Sequence, residues 1–401
     1  MKISALSVLF SAFALFAGLQ AQAADLIVRA QQLYTISGPV VKNAVLVVEK
    51  GRIKEIASEP FKPPAGVPVI SAPVVMPGII DASSRIGLPP PINEESSEIT
   101  PCVKAADVFD PSRKEVTSAL WRGVTLAHIE PGERNVVGGL CALVRTCGKT
   151  RKACIVNRAA SLKAALGSKP TLGNRGYGWG PPRDMFFRRP TTRMAVIELF
   201  RRALRYGKEA ADKKKLSPRE AVLRDAVQGK LPLRVYAGSI IDIRAALREK
   251  KRYEFRLVLE NGWEAYKAAD RLAAQKISVV LDPNAAGMLL NLPPGGKRRL
   301  DCASELAGRG VPLAFGSFGL DIDLRLVAAT AVRYGLSEKQ ALRALTLGAA
   351  EAVGAAGEWG SIAPGKRADL VLLNGPPLSA ATSILKVVCD GRVVYPPEGG
   401  K

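Results

Sequence analysis

Two stretches of this 401-residue chain carry the side chains with the most evident chemistry. In "VMPGIIDASSRIGLPP", Val75 to Pro90, an apolar run enters a loop that presents Ser83, Ser84 and Arg85. A strand opening into such a loop is where a hydrolase often places metal ligands, yet hydroxyls and a guanidinium stand there. In "GNRGYGWGPPRDMFFRRP", Gly173 to Pro190, Tyr177, Trp179, Phe186 and Phe187 alternate with Arg175, Arg183, Arg188 and Arg189. Rings beside guanidinium groups suit stacking on a sugar or heterocycle with pairing to an anion. The plainer reading is aromatics packed onto the body of the fold.

The chain holds one histidine, His128, which closes the apolar run "GVTLAH" two residues before Glu130. It suits a general base, or a hydrogen-bonded residue at a strand end. No Ser-His-Asp hydrolase can be assembled: G-x-S-x-G is absent, and "GSFG", Gly316 to Gly319, lacks the elbow pattern. Cys102, Cys141, Cys147, Cys154, Cys302 and Cys389 show no C-x-x-C and no neighbouring His, so a zinc site is a poor reading. Cys141, Cys147 and Cys154 are close enough in sequence for one disulfide.

The elements that must position these residues fall into three zones. From Ala24 to about Val75, short apolar runs meet at turns, with a hairpin signal at Gly51. The C-terminal end repeats the pattern, with Asp390-Gly391 as a tight turn. Between them, the apolar strands "GVTLAHI", "LRVYAG", "FRLVLE", "ISVVLD" and "VPLAFGS" alternate with helical periodicity over 193–213, 264–275, 324–334 and 337–353. Alternation of this kind predicts an α/β fold, a TIM (β/α)8 barrel, flanked by a small composite β-sandwich built from both chain ends. The expected organisation is a signal peptide at 1–23, β-sandwich at 24–75 and 356–401, and barrel at 76–355. Pro/Gly-rich loops over 87–98, 173–190 and 292–299 are expected at the barrel mouth.

Composition narrows the function classes. The formal net charge is +22, which suits either a solvated basic surface or attraction to anionic partners, whether a small molecule or a polymer. No RNP, zinc-finger or basic-zipper pattern supports specific nucleic-acid binding. Lys2, the apolar run Ile3 to Leu19 and "AQA" at Ala21 to Ala23 predict a cleaved secretory signal and a periplasmic or secreted protein. No later apolar run reaches the ~20 residues of a transmembrane helix.

Several segments together resemble the metal-dependent amidohydrolases. "VVMPGIIDASSRIGL" resembles that superfamily's first-strand signature, and "GSIAPGKRADLVLLNGPPL" its C-terminal β segment. "GVTLAHIEPGERNVVGGLCALVR", "PTTRMAVIELFRRAL" and "LSEKQALRALTLGAAEAVG" resemble the exported, imidazolonepropionase-like branch. The resemblance implies hydrolysis of C–N bonds other than peptide bonds by zinc or another divalent metal at the C-terminal ends of the barrel strands. It also implies that homodimers are common.

At every position the resemblance aligns with a metal ligand or catalytic aspartate, another residue stands. Ser83 and Arg85 fall on the first His-x-His, Arg145 on the bridging lysine, Tyr236 (with Gly238) and Asn261 on later histidines, and Phe318 on the final aspartate. One histidine cannot build a four-histidine site. A carboxylate-only site would need clustering of Asp81, Asp282, Asp321 and Asp323, whose spacing is unpersuasive. A guanidinium ~4 Å from a divalent ion repels it by about 8 kcal/mol even at an effective dielectric of ~20. Arg85 and Arg145 would therefore oppose a metal and offer a bidentate anion site, or else pair with local acids. Three readings stay open: a metal-free, catalytically degenerate barrel binding an anionic ligand, with no cofactor; an active C–N hydrolase with atypical ligands; and a structural envelope protein holding anionic polymer.

Overall fold

The computed structural model describes residues 25–172, 189–288 and 299–396. The expected signal peptide, the aromatic–arginine stretch from Gly173 to Arg188 and most of the 292–299 loop lie outside the described residues. The first strands are β1 (Leu26–Tyr34), β2 (Val40–Glu49), β3 (Arg52–Ser58) and β4 (Val69–Pro77). The barrel strands are β5 (Ile79–Ser84), β6 (Val124–Ile129), β7 (Val137–Arg145), β8 (Ile155–Ala165), β9 (Leu233–Ala237), β10 (Leu257–Asn261), β11 (Ser278–Leu281) and β12 (Leu313–Phe315). The last three are β13 (Leu370–Leu373), β14 (Ile384–Cys389) and β15 (Arg392–Tyr395).

Strands from the two ends of the described chain form one seven-stranded sheet, in the order β15-β14-β13-β4-β1-β2-β3. The join is made by β4 and β13, antiparallel with Met76 opposite Val371. Leu26, Val28, Leu33, Leu46, Val48, Leu370 and Leu372 pack one face of it into a separate core. The described strands of both chain ends thus make one continuous hydrogen-bonded sheet.

The other sheet has eight strands, β5 to β12 in sequence order, and is nearly closed. Its inner wall begins with Ile80, Leu126, Leu143, Val280 and Ala314, which pack against one another. Outside, Val235, Leu259, Val279 and Phe315 bury against helices through residues such as Phe200, Leu247, Leu306 and Val327. Burial on both sides explains why these strands read as continuous apolar runs. The helix over Pro218–Val227 starts at a capping box, Ser217 with Glu220, and that over Glu338–Leu345 at another, Ser337 with Gln340. The single helix expected over 337–353 is instead two, Glu338–Leu345 and Leu347–Ala352, broken at Thr346.

One strand departs from the regular pattern. β7 runs antiparallel to both β6 and β8, so a hairpin replaces a β-helix-β crossover. The gap between β12 and β5 is bridged by side chains and loop backbone. Ser317 N–H and Oγ donate to the Asp81 carboxylate at 2.9 and 2.6 Å, and Phe318 N–H donates to Ser83 O at 2.8 Å. Among the described residues no helix is long and apolar enough to cross a membrane.

Candidate functional site

Four charged side chains meet inside the barrel, each from the middle or end of a buried strand segment. Lys163 on β8, Glu260 on β10 and Glu130 just after β6 are fully buried, and Arg234 on β9 is 1% exposed. Lys163 Nζ donates to Glu130 Oε1 at 2.7 Å and also to Glu260. Arg234 Nε donates to Glu260, lies 3.7 Å from Glu130 Oε2, and its guanidinium also donates to Ala82 O. Ser83 Oγ donates to Glu130.

Two cations, the Glu260 carboxylate and the Glu130 carboxyl partner one another where unpaired ions would be prohibitively costly. Burial raises the Glu130 carboxyl, with the Glu260 charge adding to it, to about 8. Burial acts on Glu260 in the same direction, but Lys163 and Arg234 outweigh it and hold that carboxyl far below the usual range. Burial opposes charge on Lys163 as well; Glu130 and Glu260 overcome it, so the ammonium stays protonated.

His128 sits beside this cluster, 1% exposed, with Nε2 2.8 Å from Ser161 Oγ. Burial, then Arg234, pushes its pKa well below the ordinary value, so the ring is neutral. This is the hydrogen-bonded strand-end reading. Burial likewise pushes the Cys141 thiol up to about 12.

At the C-terminal ends of β9, β10 and β11 opens a cavity of about 590 Å³ lined by Lys169, Tyr236, Gly238, Asn261, Trp263 and Asp282, among others. Lys169 Nζ lies 5.9 Å from the Tyr236 ring centre and makes no ion pair among the described residues. Arg193 and Arg299 also line it and are paired with Asp242 and Asp301. Asn261 Nδ2 donates to Asp282 Oδ2 at 2.7 Å, and Ala285 N–H donates to Oδ1 at 2.7 Å. Burial nonetheless raises the Asp282 carboxyl to about 6. Gly238 lets Trp263 and Asn261 close in: a Cβ there would sit 2.3 Å from Trp263 Nε1 and 2.5 Å from Asn261 Oδ1.

The six residues singled out in the sequence go to different places. Tyr236 and Asn261 line the mouth cavity. Phe318 stands at the same end, its ring centre 6.5 Å from that of Tyr236. Asn261 and Phe318 both adopt positive φ, +71° and +53°, as the chain leaves the barrel. That is ordinary for Asn and strained for Phe, the kind of backbone found at ligand sites. Ser83 belongs to the charged cluster below. Arg85 is paired with Glu133, which satisfies its charge locally.

Arg145 is the clear correction. Its register opposite Leu126 puts it at the start of β6, the far end of the barrel from the mouth. There it binds Asp369 at 2.8 Å and also Asp390, joining the barrel to the seven-stranded sheet. The antiparallel course of β7 carries the residue away from the mouth, so Arg85 and Arg145 form no joint anion site. The lysine that does stand in the barrel interior is Lys163. The four aspartates weighed as a carboxylate site also disperse: Asp81 bonds Ser317, Asp282 lines the mouth, Asp321 pairs with Arg122, and Asp323 caps the helix over Leu324–Arg333.

Whether a catalytic divalent ion fits is a matter of donors. Among the described residues, one trio of metal-ligating types comes together, His128, Glu130 and Cys141, with ligand atoms within 4.8 Å of one another. The Glu130 oxygens already face Lys163 at 2.7 Å and Arg234 at 3.7 Å. Each cation would repel a divalent ion ~4 Å away by about 8 kcal/mol at an effective dielectric of ~20, and the thiol would first have to lose a tightly held proton. Among the described residues, the donors that come together do not fit the metal.

A barrel carrying its polar cavity at the C-terminal strand ends, joined to a sheet from both chain ends, has the architecture of an amidohydrolase. Residues 307–394 match the amidohydrolase family. The crystal structure of an amidohydrolase from Thermotoga maritima MSB8 superposes with a TM-score of 0.81 at 28% identity, covering 92% of this chain and 99% of that one. An amidohydrolase of Hapsidospora irregularis is 22% identical over 364 residues, 79% of this chain and 36% of its own length. The imidazolonepropionase of Geobacillus kaustophilus is 33% identical over 142 residues, 31% of this chain and 32% of its own. The matched stretches thus span about a third of these curated relatives. The chain is thus similar to the amidohydrolase family over residues 307–394 and shares the fold of the Thermotoga maritima amidohydrolase.

Proposed function

We propose that this chain is a catalytically degenerate, metal-independent amidohydrolase that binds a small anionic molecule at the barrel mouth. The observation that carries the reading is the Lys163–Glu130–Glu260–Arg234 cluster, in which fixed cations neutralise the acids that could otherwise chelate an ion. Anion binding falls to Lys169, which faces the mouth cavity beside Tyr236 without an ion pair among the described residues, rather than to Arg85 and Arg145. The basic composition supports the same choice of ligand. The N-terminal apolar run supports an exported mature protein.

The test is elemental analysis of purified protein together with titration by small carboxylates and phosphate. The reading expects metal well below one equivalent, and anion binding that a chelator leaves unchanged and Lys169→Ala abolishes. Near-stoichiometric zinc, manganese or iron, with amide hydrolysis that a chelator removes, overturns it.

A second reading, metal-free hydrolysis of C–N bonds, is favoured by Asp282. Its carboxyl, raised to about 6 and held by Asn261 in the mouth, has the poise of a general base. Chelator-insensitive hydrolysis that rises through pH 6 and disappears in Asp282→Asn would establish it over the first.

A further inference from the structure

The seam between the barrel and the seven-stranded sheet holds a second constellation, unrelated to the mouth. A cavity of about 860 Å³ opens there, lined by Lys50, Arg145, Cys147, Arg367, Cys389 and Arg392, among others. Cys147 follows β7 and Cys389 ends β14, and the two pack into one cluster with Leu120 and Val387. They stand 242 positions apart in sequence (389 minus 147), one just past a barrel strand and the other in the seven-stranded sheet.

The other nearby thiol is otherwise engaged. Cys154 Sγ donates to Gly148 O at 3.2 Å, at the end of the short helix Arg151–Cys154. Cys141 faces the barrel interior with His128 and Glu130. Sequence spacing allowed one bridge among Cys141, Cys147 and Cys154, but the three thiols face different surroundings, and Cys147 packs with Cys389 instead.

From this geometry we infer that Cys147 and Cys389 form a reversible disulfide that staples the barrel to the sheet. The two thiols differ in reactivity in the order such a step needs. The Cys389 thiol, as hydrogen-bond partner, lowers the Cys147 pKa; burial opposes this, and the Arg145 guanidinium lowers it further. Burial pushes the Cys389 thiol well up. Cys147 is partly exposed whereas Cys389 is 4% exposed, so Cys147 is the one a reagent reaches.

The chemistry is thiol–disulfide exchange with a small-molecule disulfide as oxidant. The Cys147 thiolate attacks one sulfur of that disulfide, forms a mixed disulfide and expels one thiolate. Cys389 then gives up its proton to solvent, attacks the Cys147 sulfur and expels the second thiolate. Two protein thiols lose two electrons and two protons, and the small disulfide becomes two thiols. The closed bridge joins elements that Arg145, Asp369 and Asp390 already hold together.

The test treats the full chain with oxidised glutathione, digests it without reduction and maps cross-linked peptides by mass spectrometry. Peptides joined through Cys147 and Cys389 are expected in the native protein and in Cys154→Ser. The oxidised form should melt at least about 3 °C above the reduced form, reversibly, and Cys147→Ser should abolish the difference. A Cys147–Cys154 link, a lasting glutathione adduct on Cys147, or two unmodified thiols overturns the inference.

Discussion

Lys163 Nζ lies 2.7 Å from Glu130 Oε1 at a depth where neither side chain has any solvent exposure. Above that contact the mouth cavity is lined by Lys169, which makes no ion pair among the described residues. An ion pair of this kind adds little over a well-packed apolar core, but removing one partner strands the other in a medium of low polarity.

Lys163→Met should destabilise the fold by roughly 3–5 kcal/mol, because Glu130 and Glu260 would then face each other with only Arg234 between them. Adding Glu130→Gln should recover part of the loss. Urea denaturation of the single and double variants checks this, and equal losses in both would contradict the ion-pair account.

Much of the fold was legible because apolar strands and amphipathic helices follow local patterns that burial rewards. The runs containing His128, Tyr236, Leu259, Leu281 and Phe315 all became barrel strands where their periodicity placed them. The Asp390-Gly391 turn and the Gly51 hairpin formed as their chemistry requires. The interior cluster was overlooked although it had a signal. Lys163 in "SLKAALG", Arg234 in "LPLRVYAG" and Glu260 in "LVLEN" are charges set inside apolar strand runs, which points to mutual pairing within a barrel. Arg145 was misplaced for a different reason. Strand direction is a tertiary property, and nothing in "GGLCALVR" reveals that β7 runs antiparallel to β6 and β8.

Arg145→Ala should loosen the seam without touching the mouth. Asp369 is 5% exposed and would lose the guanidinium that compensates it, leaving the Trp359 indole and the Asp390 backbone N–H as donors. A loss of roughly 3–5 kcal/mol is expected. Arg145→Lys should rescue only part of it, since one ammonium cannot reproduce a fork spanning Asp369 and Asp390. Thermal melts give the stability, and an anion titration of the same variants should return unchanged affinity.

Gly316→Ala tests how the barrel closes. A Cβ at this position would lie 2.8 Å from both Ser83 N and Ser83 Cβ and 3.0 Å from Ser83 O. Two of those atoms are backbone, so relief requires β5 and the end of β12 to separate. The Asp81–Ser317 and Ser83–Phe318 hydrogen bonds that bridge the gap would stretch with them. A loss of roughly 1–3 kcal/mol is expected, with faster amide exchange at Ser317 and Phe318.

The pH dependence of anion binding follows from Asp282. Its carboxyl is raised from the ordinary 3.8 to about 6, chiefly by burial, and Lys169 is close enough to pull it the other way. Below about pH 6 the group is neutral and the Lys169 charge is available to a ligand. Above it, a carboxylate stands in the same cavity and repels the anion. Affinity should therefore fall as pH rises through 6. The stability contribution has the same sense: the folded state holds a proton that the unfolded chain releases near 3.8, so this contribution is full below that value and lost as pH rises through 6. Asp282→Asn should flatten both profiles, keeping the high affinity above pH 6 because the amide carries no charge. A wild-type binding curve level between pH 5 and 7, or one in Asp282→Asn as steep as the parent's, would assign the mouth's electrostatics to some other group.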